Sequence, residues 1–164
     1  MIEFMIIAGP RSGTTWAANW LTTEKSLCLH DPLYNHHYTD LDAIESDRAL
    51  GVACTGLMNF YEWLNNHPAR KVILRRPQKE ITASLESIGL PDIQCDKLDR
   101  INGTHVHWSD LFNNPAPIYE ALLRQPFDGQ RHELLRKINM QPNFDDITIN
   151  KEATTRLVHE MRAI

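Results

Sequence analysis

The stretch Phe4-Met5-Ile6-Ile7-Ala8-Gly9-Pro10-Arg11-Ser12-Gly13-Thr14-Thr15-Trp16 constrains this chain more than any other. A short apolar run ends in a loop of Gly, Pro, Ser and Thr. A stripe at helical spacing follows at once, carried by Trp16, Ala17, Trp20 and Leu21. The pattern predicts strand, tight loop, helix. The backbone N–H groups of such a loop and the positive end of the helix dipole favour an anion in the concavity they share. Gly13 lets the backbone turn closely around an oxyanion, and the Thr14 and Thr15 hydroxyls add donors.

Laid on the phosphate-loop pattern G-x-x-x-x-G-K-[ST], the stretch puts Ala8 at the first Gly, Gly13 at the second, Thr14 at the Lys and Thr15 at the Ser/Thr. The Lys that reaches the β- and γ-phosphates of ATP is missing, and the only cation in the loop is Arg11. Gly9 to Trp16 instead resembles the 5′-phosphosulfate loop of sulfotransferases that use 3′-phosphoadenosine 5′-phosphosulfate (PAPS). In that family a Pro, a basic residue, Ser-Gly-Thr-Thr and often Trp follow the first strand. The resemblance implies that Pro10, Arg11, Ser12, Gly13, Thr14, Thr15 and Trp16 bind the donor. It places Arg11 at the family's catalytic loop Lys, beside the leaving group.

Along the rest of the chain, strand-like runs alternate with helical stripes. Ser26–His30 reads as a strand stopped by Asp31-Pro32, and Gly51–Thr55 as another. A sparse stripe of Leu41, Ile44 and Ala49 predicts a helix over about 40–49. Leu57, Phe60, Tyr61 and Leu64 predict an amphipathic helix that ends before Pro68. Lys71–Arg75 is a compact apolar strand of the kind buried on both faces of a parallel sheet. Arg76-Pro77 opens a helix with Ile81, Leu85 and Ile88 inward and Gly89 as its cap. Residues 91–101 read as a short helix or lid, Thr104–Val106 with Trp108 as a strand, and Ser109-Asp110-Leu111 as a loop. Helices are predicted around 117–123 and 130–138, the latter buried through Leu134, Leu135 and Ile138. Asp146–Ile149 reads as a strand, and a last helix starts near Lys151 behind an Asn150 cap. The alternation predicts an α/β fold of three-layer P-loop type, with a mainly parallel central sheet flanked by helices.

A second motif lies at the Arg76 helix. Arg76 leaves an apolar strand, and Ser84 stands eight residues on; from Arg75 the spacing is nine. A forked permanent cation with a hydroxyl suits a dianionic phosphate. The pair resembles the family's 3′-phosphate element, a strand ending in Arg with a Ser about eight residues later. Arg76 fits the spacing better, and Arg75 stays open. His107-Trp108-Ser109-Asp110-Leu111 and Pro126-Phe127-Asp128 also resemble later stretches of the family.

The acceptor base is not carried by the resemblance. Where many sulfotransferases have Lys-Thr-His on the third strand, this chain has Cys54-Thr55-Gly56. His30, Asp31, His36 and His37 follow the second strand, where ligands of open α/β sheets bind, and His titrates in the range that suits a general base. The candidates for catalysis are Arg11, His30 and Asp31.

The remaining numbers set limits. At 164 residues the chain suits one domain, 1–164, that can bury a core. A net charge of −4 argues against a general nucleic-acid binder. Three Cys without C-x-x-C spacing suggest reduced thiols in the cytoplasm. The first apolar run is too short for a signal peptide or membrane span. His30, His36 and His37 lack zinc spacing, so no metal is expected. The reading is thus a cytoplasmic PAPS-dependent sulfotransferase acting on a small-molecule acceptor. The shortness of the chain leaves room for a homo-oligomer whose partner subunit completes the pocket. A P-loop kinase and a non-catalytic nucleotide-binding module are the alternatives.

Overall fold

The computed structural model describes residues 1–138 and Arg156. Five strands form one sheet: β1 (Phe4–Ala8), β2 (Ser26–His30), β3 (Ala49–Cys54), β4 (Arg70–Arg75) and β5 (Thr104–His107). Their order is β2-β3-β1-β4-β5, and every pairing is parallel. Ile7 stands opposite both Cys54 and Ile73, so β1 is the central strand. All five of its residues are buried, because parallel crossovers put helices over both faces.

Strand alternation divides the apolar residues between those faces. Phe4, Ile6, Ala8, Val72 and Leu74 pack with Trp16, Ala17 and Trp20 of helix α1 (Thr14–Leu21) and with Ile118 and Leu122 of α5 (Pro115–Leu123). Met5, Ile7, Val52, Cys54 and Ile73 pack on the other side with Leu64 of α2 (Tyr61–Asn66) and with Ile81 and Leu85 of α3 (Gln78–Glu86). Each fully buried Leu, Ile or Phe contributes ~1.5–3 kcal/mol by leaving water. Two short helices, α4 (Asp110–Asn113) and α6 (Gly129–Leu135), complete the α1 side. The result is the three-layer α/β arrangement of P-loop type that the alternation predicts.

The topology also fixes where a ligand can lie. From β1 the chain runs toward the β2 edge, and from β4 toward the β5 edge. Adjacent strands whose connections diverge leave a crevice beyond their carboxyl ends, the usual ligand position in open α/β sheets. The loop after β1 and the Arg76-Pro77 turn both open onto it.

Several elements differ from expectation. The segment predicted as helix over 40–49 is instead a 3₁₀ stretch, Tyr38–Ala43, with Ala49 already in β3. Only Leu41 of it is buried, so no α-helical face had a partner. The helix expected from Leu57 is 3₁₀ over Gly56–Phe60 before it becomes α2. Residues 91–101 hold the 3₁₀ turn Asp96–Arg100. Ser109-Asp110-Leu111 starts α4 instead of forming a loop. In α3, Ile81 and Leu85 are buried, but the helix ends at Glu86 and Ile88 beyond it is exposed. In α6 the inward residue is His132, while Leu134 and, past the helix end, Ile138 are exposed. The strand at Asp146–Ile149 and the helix from Lys151 lie outside the described residues. No helix among the described residues is long and apolar enough to cross a membrane.

Candidate functional site

The loop between β1 and α1 is held in a strained backbone path. Gly13 has φ 86 and Arg11 has φ 61, both left-handed. Of the three non-Gly residues in that region among the described residues, Arg11 and Asp31 border the same cleft. Such conformations cost ~1–3 kcal/mol and concentrate at functional sites. A Cβ on Gly13 would come within 3.2 Å of Leu111 Cδ1, so the turn also leaves little lateral room. The first intrahelical bond of α1 runs from Ala17 N–H to Gly13 O at 2.9 Å. The preceding N–H groups therefore have no acceptor within the helix.

Side chains from distant segments converge on this loop. Arg11 Nε donates to Ser84 Oγ at 3.1 Å, joining the loop to the second turn of α3. Arg76 Nη1 donates to the Arg11 carbonyl, while its Nε pairs with Glu80 Oε2 at 3.2 Å. The guanidinium carbon of Arg76 lies 4.5 Å from the centroid of the Trp108 ring. Ser84 accepts from Arg11, so its own O–H remains available to an anion.

At the end of β2, His30 Nε2 lies 3.0 Å from Thr15 Oγ1, 3.4 Å from Thr14 Oγ1 and 3.2 Å from Asp31 Oδ2. Asp31 Oδ1 accepts the Thr55 N–H at 2.8 Å and faces its hydroxyl at 3.3 Å. One carboxylate thereby ties β2's end to β3's end. Thr15 and Asp31 meet the same ring nitrogen, so this is not the arrangement in which a carboxylate on one imidazole nitrogen prepares the other. Burial, then the Asp31 charge, pushes the Cys54 thiol up, which makes it a packing residue and no nucleophile. Burial, Asp31 and Cys54 raise the Tyr34 phenol in turn, so it presents a neutral hydroxyl.

These residues enclose a cleft of about 470 Å³. Of the residues singled out in the sequence, Pro10, Arg11, Gly13, Thr14, Thr15, Trp16, His30, Asp31, Arg76 and Ser84 line it. Two do not. Ser12 is fully buried with its hydroxyl on the Pro10 carbonyl at 3.4 Å. Arg75 points away and pairs with Asp99 at 2.5 Å. His37 is buried and caps the Tyr38–Ala43 turn through Thr39, and His36 is exposed outside the cleft. Sequence reasoning missed Tyr34, Thr55, Trp108 and Phe112, and the apolar residues Ile88, Leu90 and Ile93. The run Ile88-Gly89-Leu90-Pro91-Asp92-Ile93 carried a usable signal, since it sets apolar side chains in a segment too broken to bury them.

One residue far along the chain supports the loop. His132 is buried among Trp16, Trp20 and Phe127, and its Nε2 lies 2.8 Å from the Leu111 carbonyl. Leu111 is the residue that abuts Gly13. Among the described residues no group of three or more His, Cys, Asp or Glu side chains stands close enough to hold a metal ion. All three cysteines are free and buried.

No family model matches this chain, and neither a curated protein nor a solved structure matches it.

Proposed function

We propose that this chain is a PAPS-dependent sulfotransferase acting on a hydroxyl or amine of a small molecule. The observation that carries this reading is the meeting of Arg11, Arg76 and Ser84 at one backbone anion cradle whose Walker Lys position is Thr14. Two fixed cations and a hydroxyl on one side of the loop suit a donor with two separate phosphates better than a triphosphate chain with Mg²⁺. Three buried, free thiols suit a reducing, cytoplasmic setting.

When bound, the donor supplies a sulfuryl group to the acceptor and leaves as adenosine 3′,5′-bisphosphate. The loop N–H groups with Thr14 and Thr15 hold the 5′-phosphate, and Arg76 with Ser84 holds the 3′-phosphate. Arg11, hydrogen-bonded to Ser84, would offset the negative charge that grows on the leaving oxygen. Donors fixed in advance need no reorganisation at that moment. His30, with Asp31 beside it, receives the proton that the acceptor's O–H or N–H gives up. For this His30 must exchange its Thr15 or Asp31 contact for the acceptor, a change of hydrogen-bond partner at the cleft wall.

The shared Nε2 contact, with Cys54-Thr55-Gly56 at the end of β3, also favours a second reading: a module that binds the nucleotide and transfers nothing. One experiment separates the readings. Melting temperature is followed with adenosine 3′,5′-bisphosphate, with ATP·Mg²⁺, and with neither. A ligand at a hundredfold excess over its Kd adds ~2.7 kcal/mol, a rise of about 5–10 °C at this size. The bisphosphate is expected to give that rise. A rise with ATP·Mg²⁺ alone overturns the proposal, and a bisphosphate rise with no transfer to any acceptor of a broad panel leaves the module.

A further inference from the structure

Seven large apolar side chains are exposed among the described residues, and five of them line the one cleft: Tyr34, Ile88, Leu90, Ile93 and Ile138. Single exposed apolar residues are ordinary, whereas a cluster on the wall of a binding cleft marks a surface that an apolar partner covers. The cleft has two apolar walls, rooted on opposite faces of the sheet. Trp16, Trp108 and Phe112 form an aromatic wall and belong to the α1-side core. Leu85 belongs to the α3-side core, and Ile88, Leu90 and Ile93 follow it as an aliphatic wall. Tyr34 and Asp31 follow β2, whose last residue is His30.

We propose that the aliphatic wall together with Tyr34 is the acceptor subsite, and that it takes a small apolar alcohol or phenol. This rests on the donor assignment above, which sends the flat nucleobase to the aromatic wall, where rings can stack on it. A polyhydroxylated acceptor would press its hydroxyls against Ile88, Leu90 and Ile93, exchanging water for surfaces that return no hydrogen bond. An apolar acceptor gains from the same surfaces and has one polar group to place. His30 and Asp31 are the groups that can meet it. At about 470 Å³ the cleft lies toward the small end of ligand pockets, ~300–1,000 Å³.

The test uses 1-naphthol as the probe, with binding followed by fluorescence and the bisphosphate followed by calorimetry. Ile88 and Leu90 are 43% and 44% exposed, so Ile88→Gln with Leu90→Gln keeps the fold, which an unchanged melting temperature verifies. Wild type is expected to bind 1-naphthol in the presence of the bisphosphate and to show no binding of glucosamine. The double variant is expected to lose naphthol affinity by about tenfold or more with bisphosphate affinity unchanged. Wild type that binds the bisphosphate but prefers glucosamine, or a double variant with undiminished naphthol affinity, overturns the acceptor assignment. Wild type that ignores the bisphosphate overturns the donor reading instead, and naphthol binding by the two proteins then decides the apolar wall on its own.

Discussion

Arg75 and Arg76 are sequence neighbours that β alternation sends to opposite sides. Ile73 faces the α3 side and Leu74 the α1 side, so Arg75 follows Ile73 and meets Asp99 near Cys95. Arg76 emerges toward Trp108 and the loop carbonyl of Arg11. Arg75 is thus a fastener of the 96–100 turn and Arg76 a ligand-facing cation. Arg76→Ala is expected to weaken adenosine 3′,5′-bisphosphate binding by about 10–100-fold, as loss of a charged hydrogen-bond donor does at ~1.5–3 kcal/mol. Arg75→Ala is expected to keep that affinity and to lower stability by ~0–1 kcal/mol, since its partner Asp99 is largely exposed. Calorimetric titration of the two variants checks the pair, and the opposite ranking would reassign the roles.

At the scale of elements, the sequence made contiguous features legible and long-range ones opaque. The inner strands β1, β3 and β4 were readable because apolar runs without helical period have few other homes, and the edge strands β2 and β5 from short runs between turn signals. The phosphate loop was readable because its parts are adjacent. The 40–49 segment was not, since a three-residue stripe cannot say whether a helix has a neighbour to pack on. The α6 stripe misled for the same reason: Leu134 promised a buried face, and a histidine took it by reaching the Leu111 carbonyl. Contact between the loop and the 91–95 segment was equally unreadable. A Cβ on Gly9 would sit 2.5 Å from Cys95 Sγ and 3.0 Å from Ile81 Cδ1, so the loop's first residue is glycine to let Cys95 close over it. Gly9→Ala is expected to cost ~1–3 kcal/mol as overpacking, roughly 2–12 °C in melting temperature. Adding Cys95→Ala to Gly9→Ala removes the sulfur and should recover part of that loss. A double variant no better than the sum of the singles would show that the clash is relieved elsewhere.

Across the whole molecule, the cleft occupies the carboxyl edge of the sheet, and a polar clasp gathers the opposite edge. Asp42 Oδ1 accepts the Ile2 N–H at 2.7 Å, and Oδ2 lies 2.9 Å from His67 Nε2. The Ala69 N–H donates to His67 Nδ1 at 3.1 Å, so the ring proton sits on Nε2 and donates to Asp42. One carboxylate therefore links the approach to β1, the 3₁₀ turn before β3 and the exit from α2. Burial works against ionising Asp42, but the Ile2 N–H and His67 outweigh it and hold the carboxyl below its usual range. A carboxyl with a depressed folded pKa stabilises fully above its unfolded value, ~3.9, and loses that contribution as pH falls through the lower folded value. Asp42→Asn is accordingly expected to lower stability at pH 7 by about 1 kcal/mol, toward the low end for a charged hydrogen bond because Asp42 is about one-third exposed. The gap between variant and wild type should begin to close as pH drops below ~4 and close fully only below the lower folded value, where wild-type Asp42 is neutral in both states. Urea unfolding of both proteins from pH 7 to pH 3 measures it, and a gap that stays constant with pH would assign the loss to packing instead of charge.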